Sequence, residues 1–174
     1  MFWVDSREVL SEPFEIADNV IIPVGDYRFE RYGIGVETGG QRKLALNLSF
    51  EGGDFFGGDR STISTGFTWQ PSMHFNGSVE YVYNEIDLPE GIFDTRLLRI
   101  ESDVAFNSEW AWITSIQYDN QSDELGVNSR LQWIPRNGQE VFLIYNGGWI
   151  DVLNDGFQQL GQSATAKISY TFRY

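Results

Sequence analysis

The sequence predicts an all-β protein: an antiparallel up-and-down barrel of about ten strands, one domain over residues 1–174, with 1–12 as an N-terminal extension or weak first strand. Three observations carry this. Apolar and polar side chains alternate along most of the chain, the period of two that a strand imposes by pointing successive side chains to opposite faces. Aromatic residues make up 16% of the chain and glycine supplies 18 positions, a mixture of strand formers and turn formers. No stretch approaches the ~20 consecutive apolar residues of a membrane-crossing helix.

Each element follows from this alternation. Weaker strands are read around "EPFEI" and "YRFERYGIGVE". In "RKLALNLSFE", Leu44, Leu46, Leu48 and Phe50 share one face, and Lys43, Asn47, Ser49 and Glu51 the other. "STISTGFTW" sets Ile63, Thr65, Phe67 and Trp69 against Thr62, Ser64, Gly66 and Thr68. "MHFNGSVEYVYN" sets Met73, Phe75, Val79, Tyr81 and Tyr83 against His74, Asn76, Ser78, Glu80 and Asn84. "LLRIESDVAF" and "GVNSRLQWI" alternate in the same way, whereas "WAWITSIQY" and "EVFLIYN" are apolar on both faces. The chain closes on "AKISYTFRY", with Ala166, Ile168, Tyr170, Phe172 and Tyr174 on one face and Lys167, Ser169, Thr171 and Arg173 on the other.

Connections are read as alternating in length. "ETGGQR", "QPS", "NSE" and "PRNGQ" are tight, and "EGGDFFGGDR", "EIDLPEGIFD", "DNQSDEL" and "GGWIDVLNDGFQQLG" are longer. Outer-membrane barrels show this asymmetry, with short periplasmic turns and longer outside loops. Two architectures share the pattern. A soluble barrel or sandwich turns its apolar face inward; a transmembrane β-barrel turns it to lipid and encloses the polar face. Aromatics at strand ends (Trp69, Phe106, Trp110, Trp112, Trp133, Tyr145, Tyr170, Phe172, Tyr174) suit an interfacial girdle and favour the second. So does the final strand. Ala166, Ile168, Tyr170, Phe172 and Tyr174 resemble the C-terminal signal by which bacterial outer-membrane proteins are handed to the barrel assembly machinery.

The polar faces, taken together, form an expected lumen lining of Lys43, Asn47, Glu51, Glu80, Arg99, Glu101, Asp103, Asp119, Asn128, Arg130, Gln132, Lys167 and Arg173. It reads either as a selective lining or as a charge-paired plug, since buried charges must be paired and a narrow barrel is largely filled by side chains. The longer connections are acidic, and the near-repeat "GGDFFGGD" places Asp54, Phe55, Phe56 and Asp59 as a ligand loop, or as a fold-over that seats its aromatics on the barrel rim. The net charge of -13 argues against nucleic-acid binding. One histidine, His74, excludes two-histidine metal ligation within the chain. No nucleophile elbow or phosphate loop occurs. His74 could pair with Glu80, or with an acid on a neighbouring strand, as a general base, and a turn or lumen position explains it better. No cofactor, metal site or catalytic residue is expected.

"PFEIADNVIIPVGDYRF", "GGDFFGGDR", "NEIDLPEGIFDTRLLR", "SIQYDNQSDELGVNSRLQWIPRNGQEVFLIYNGG" and "KISYTFRY" together resemble the C-terminal barrel portion of an uncharacterised family of bacterial outer-membrane β-barrels. Members of that family usually carry an N-terminal module similar to family 9 carbohydrate-binding domains. This chain has no segment resembling that module and is shorter than the family's barrel. The resemblance implies an outer-membrane location, contact with outer-membrane lipid and lipopolysaccharide, and either a small barrel or one completed by further strands or chains. It implies no reaction. A narrow pore or structural barrel is therefore the first expectation, and a carbohydrate-binding β module using loop aromatics and acids the alternative.

Overall fold

A computed structural model describes residues 1–151 and 156–171. Among them run twelve strands: β1 (Phe2–Leu10), β2 (Phe14–Ala17), β3 (Val20–Ile22), β4 (Gly25–Glu37), β5 (Leu44–Phe55), β6 (Gly58–Ser72), β7 (Phe75–Leu88), β8 (Gly91–Ala105), β9 (Trp110–Asp119), β10 (Glu124–Arg136), β11 (Gln139–Asp151) and β12 (Phe157–Tyr170). Ten of them are hydrogen-bonded in the order β1-β4-β5-β6-β7-β8-β9-β10-β11-β12, and β2 and β3 form a separate hairpin. The protein is thus an all-β, antiparallel, up-and-down sheet. Its strand order is linear, with β1 and β12 at the two ends. A closed barrel is not among the pairings of the described residues.

The tenth strand is not where the sequence placed it. "EPFEI" belongs to the β2–β3 hairpin, which folds on itself through Asn19 in the left-handed region (φ 63°) and pairs Phe14 with Ile22. The sheet instead gains residues 2–10, read as an extension or weak strand, which pair with β4 in unbroken register from Phe2↔Gly33 to Leu10↔Gly25.

The expected long connections are also corrected. β5 runs on to Phe55 and β6 begins at Gly58, so "EGGDFFGGDR" is two strand ends joined by Phe56 and Gly57. Both have positive φ (46° and 83°), the requirement of a tight type I′ hairpin. Likewise only Pro89 and Glu90 join β7 to β8. Four residues separate β9 from β10, so these three connections are short; the expected long connection after Asp151 lies mostly outside the described residues.

The chain divides into two compact units: Met1–Thr38 with Leu46–Gly66 and Tyr81–Arg96, and Gly39–Ala45 with Phe67–Glu80 and the chain from Leu97 onward. In the first unit the amphipathic pattern changes phase partway along the strands. Register places Leu48 opposite Val36, Phe50 opposite Ile34, and Trp3 opposite Tyr32, so these side chains share one face, called here the leucine face. They are exposed: Trp3 64%, Ile34 57%, Leu48 52%. Two residues further along β4 that same face becomes charged, with Asp5 opposite Glu30 and Arg7 opposite Arg28. On the opposite face the sense reverses. Gly33 and Glu51 give way to Phe29, which is buried with Val20, Ile22, Phe56, Ile86 and Leu88 in the one hydrophobic cluster of the described residues. The β2–β3 hairpin supplies Val20 and Ile22 to this core, and Ile22 is wholly buried.

The second unit keeps a single phase. Leu98, Tyr118 and Leu125 lie side by side, then Ile100, Ile116 and Val127, then Val104, Trp112, Leu131, Leu143 and Ala166. Trp110 stacks on Trp133 at one end of this face (ring centroids 5.3 Å apart, 15° between planes), and Tyr118 meets Phe157 edge-on at the other.

Candidate functional site

The polar face carries the functional groups, and in each unit strand pairing orders them into short rows. In the first unit β4, β5 and β6 set Arg31, Glu51 and Arg60 together. Nη2 of Arg31 is ion-paired to Glu51 Oε1, and Nη2 of Arg60 lies 3.6 Å from that same oxygen. The Arg60 guanidinium sits over the Phe55 ring, 4.6 Å from its centre. Beside them, Thr62 donates to Asn84 Oδ1 (2.7 Å), and Asn84 Nδ2 donates to Thr95 Oγ1 (2.6 Å). Gly66 faces the Asn47 side chain, where a Cβ would come within 2.5 Å of Asn47 Oδ1.

In the second unit Arg99 reaches Glu80 Oε2 and Gln117 Oε1, both at 3.4 Å. Asn128 donates to Asn146 (2.5 Å), which donates to Ser163 (3.5 Å), a line of neutral polar groups across β10, β11 and β12. Glu101 is opposite Ser115, Asp103 opposite Ile113, and Arg130 between Ile113 and Ile144, its guanidinium 5.7 Å from the Phe142 ring centre. Gln132 and Lys167 both lie opposite Phe142. Asp119 ends β9 and accepts from the Gln121 amide (2.8 Å), so it shapes a turn rather than a wall. Lys43 accepts a backbone bond from Gln70 just outside β5. Arg173, Phe172 and Tyr174 lie outside the described residues. The other three residues of the expected assembly signal are in β12, with Ala166 opposite Leu143, Ile168 opposite Val141, and Tyr170 opposite Gln139.

No charged or polar residue among the described ones is buried. Glu51, Glu80 and Arg99 keep 31%, 51% and 40% of their side-chain surface, and Arg31 and Arg60 keep 17% and 24%.

Within the Asp54–Asp59 loop, Phe56 belongs to the core cluster and Phe55 packs against it. Phe56 is buried, in edge contact with Tyr27 and Phe29 at 5.1 and 5.2 Å, and presents no open stacking surface. Asp54 accepts the Glu30 amide at 3.0 Å, closing the backbone irregularity at Gly53. Asp54 and Asp59, with Glu85, Asp87 and Arg60, line a groove of about 670 Å³ together with Trp3, Tyr32 and Phe50. His74 is exposed in the β6–β7 turn, its Nδ1 donating to the Ala105 carbonyl at 2.9 Å.

Sequence reading missed Arg31 and Arg60. The available signal was the run "YRFERY", where the apolar residues move from odd to even positions. No protein-family model matches the chain, and neither a curated protein nor a solved structure matches it.

Proposed function

We propose that this chain is a non-enzymatic transmembrane β-barrel of the bacterial outer membrane, akin to the family its sequence resembles, serving as a narrow pore or structural barrel. The observation that carries the reading is the exposed leucine face. Among the described residues 29 large hydrophobic side chains are exposed and six are buried. Leaving half a leucine in water forgoes on the order of 1 kcal/mol, so the exposed set outweighs the ~5–15 kcal/mol that holds a domain together. Lipid removes that cost.

Dimensions support the same reading. Trp110 and Tyr118 share the apolar face of β9. They are eight residues apart, about 26 Å along a strand or roughly 20 Å of height at a barrel strand's ~40° tilt, on the scale of the ~25 Å apolar band between aromatic girdles. β6 and β8 are longer, 15 residues each, than the ~9–11 residues that span a bilayer. The phase change in the first unit suits the excess: charge outward and a small core inward is the pattern of a strand end standing in water. In this reading lipid and lipopolysaccharide are the partners of the leucine face, and the barrel assembly machinery inserts the chain.

The deciding experiment dilutes denatured protein into detergent micelles and, separately, into plain buffer. A β-sheet spectrum with heat-modifiable gel mobility only in detergent is expected; a monomeric, cooperatively folded β protein in plain buffer overturns the reading. Stepwise conductance in planar bilayers then separates the pore from a structural barrel.

A further inference from the structure

We propose that Arg31 and Arg60 form a binding site for a small oxyanion on the polar face of the first unit, a site distinct from membrane insertion and additional to it. The argument begins with stoichiometry. Two guanidiniums converge on one carboxylate, and both approach the same oxygen of it, Glu51 Oε1. These three groups together carry one net positive charge in a chain whose formal net charge is -13, and Arg60 shares its groove with Asp54, Asp59, Glu85 and Asp87.

Hydrogen bonding repeats the imbalance. The Nε of Arg31 and the Nε of Arg60 are buried, and neither has an acceptor among the described residues. Buried donors of this kind are normally satisfied, and a guanidinium offers a planar fork that matches the paired oxygens of a phosphate or carboxylate. The side chains remain reachable, at 17% exposed for Arg31 and 24% for Arg60. They are also held in place. Arg60 lies on the Phe55 ring, which is itself packed against the core cluster, so little side-chain freedom is left to lose on binding. Glu51 acts as an internal competitor that occupies the arginines when no oxyanion is present.

That last point gives a sign test. With inorganic phosphate as the probe, calorimetry on the refolded protein, in whichever medium it folds, should show saturable binding that an equal concentration of chloride does not displace. Arg31→Gln and Arg60→Gln should each weaken it at least about tenfold, the loss of one charge-assisted contact. Glu51→Gln should tighten it, because the competitor is gone and both guanidiniums remain. Absence of saturable binding, equal binding by the arginine variants, or weaker binding by Glu51→Gln each overturns the proposal. Far-UV spectra establish that each variant is folded. Should an arginine variant fail to fold, Glu51→Gln decides alone, since a purely structural ion pair predicts loss of stability without any gain in phosphate affinity.

Discussion

Two glycines bear most directly on whether the hairpins of the first unit form at all. At Gly53 (φ 136°) a Cβ would sit 2.2 Å from the Glu30 carbonyl oxygen, and at Gly58 one would sit 2.0 Å from the Asp87 carbonyl oxygen. Backbone cannot give way as the tip of a side chain can. Gly53→Ala and Gly58→Ala should therefore each destabilise by roughly 1–3 kcal/mol or more. Gly161→Ala, where the new carbon meets nothing within 4 Å, should be neutral. Urea midpoints of the refolded proteins compare the three. Ile22 is the matching apolar position. As the only fully buried large side chain among the described residues, its truncation to alanine should cost ~2–5 kcal/mol. Because Ile22 holds the β2–β3 hairpin, the loss should appear as release of that hairpin, read by proteolysis within residues 11–24.

At the scale of the element, β4 shows what the sequence made legible and what it hid. The alternation in "LALNLSF" identified the leucine face of β5 outright, because one phase runs through it without a break. "GDYRFERYGIGVE" holds two phases: Tyr27 and Phe29 turn to the core side, whereas Tyr32, Ile34 and Val36 turn to the exposed side. A pattern sought in one fixed phase treats such a strand as weak, and treats the ends of β5 and β7 as loops. β1 failed for the same reason, since neither Phe2, Val4, Ser6, Glu8 nor Trp3, Asp5, Arg7, Val9 makes a uniform face. Cross-strand pairs hold it in register instead: Arg7 ion-pairs with Asp26 and Arg28 with Asp5, at positions beyond the apolar band. Hydrogen bonding from Arg7 holds the Asp26 carboxyl below its ordinary value, and hydrogen bonding from Arg28 does the same for Asp5. A carboxyl lowered by folding contributes stability above the ordinary carboxylate range and loses it as pH falls through the lowered value. The β1–β4 pairing should thus loosen below about pH 4, and these exposed pairs should weaken in ~1 M salt. The resonance of a fluorinated Trp3 reports this. Asp26→Asn should flatten the pH response, and an unchanged response would remove the ion pairs from the account.

For the whole molecule, the polar face of each strand was legible in the sequence, but its cross-strand partners were not. Period two assigned Asn128, Arg130 and Gln132 to one face correctly, but which groups meet depends on inter-strand register, which the alternation leaves free. The same alternation was silent on closure and on the medium. A prediction at this scale contrasts neighbouring positions. In detergent or lipid, Leu48→Arg should cost on the order of 2–4 kcal/mol and Leu46→Arg a similar amount, whereas Asn47→Asp, on the other face, should be nearly silent. Refolding yield in lipid vesicles measures all three. Equal penalties on the two faces would place neither in hydrocarbon. The linear order of the sheet carries a last consequence. From β5 onward every strand pairs only with its immediate neighbours in sequence, so the smallest removable part is a hairpin. Excising residues 106–138 would take out β9 and β10 and leave Ala105 and Gln139 at the same end of antiparallel strands, ready to be rejoined by a short turn. A lineage with this plan can grow or shrink two strands at a time, and strand number becomes a heritable dimension that changes by duplication and deletion rather than by redesign.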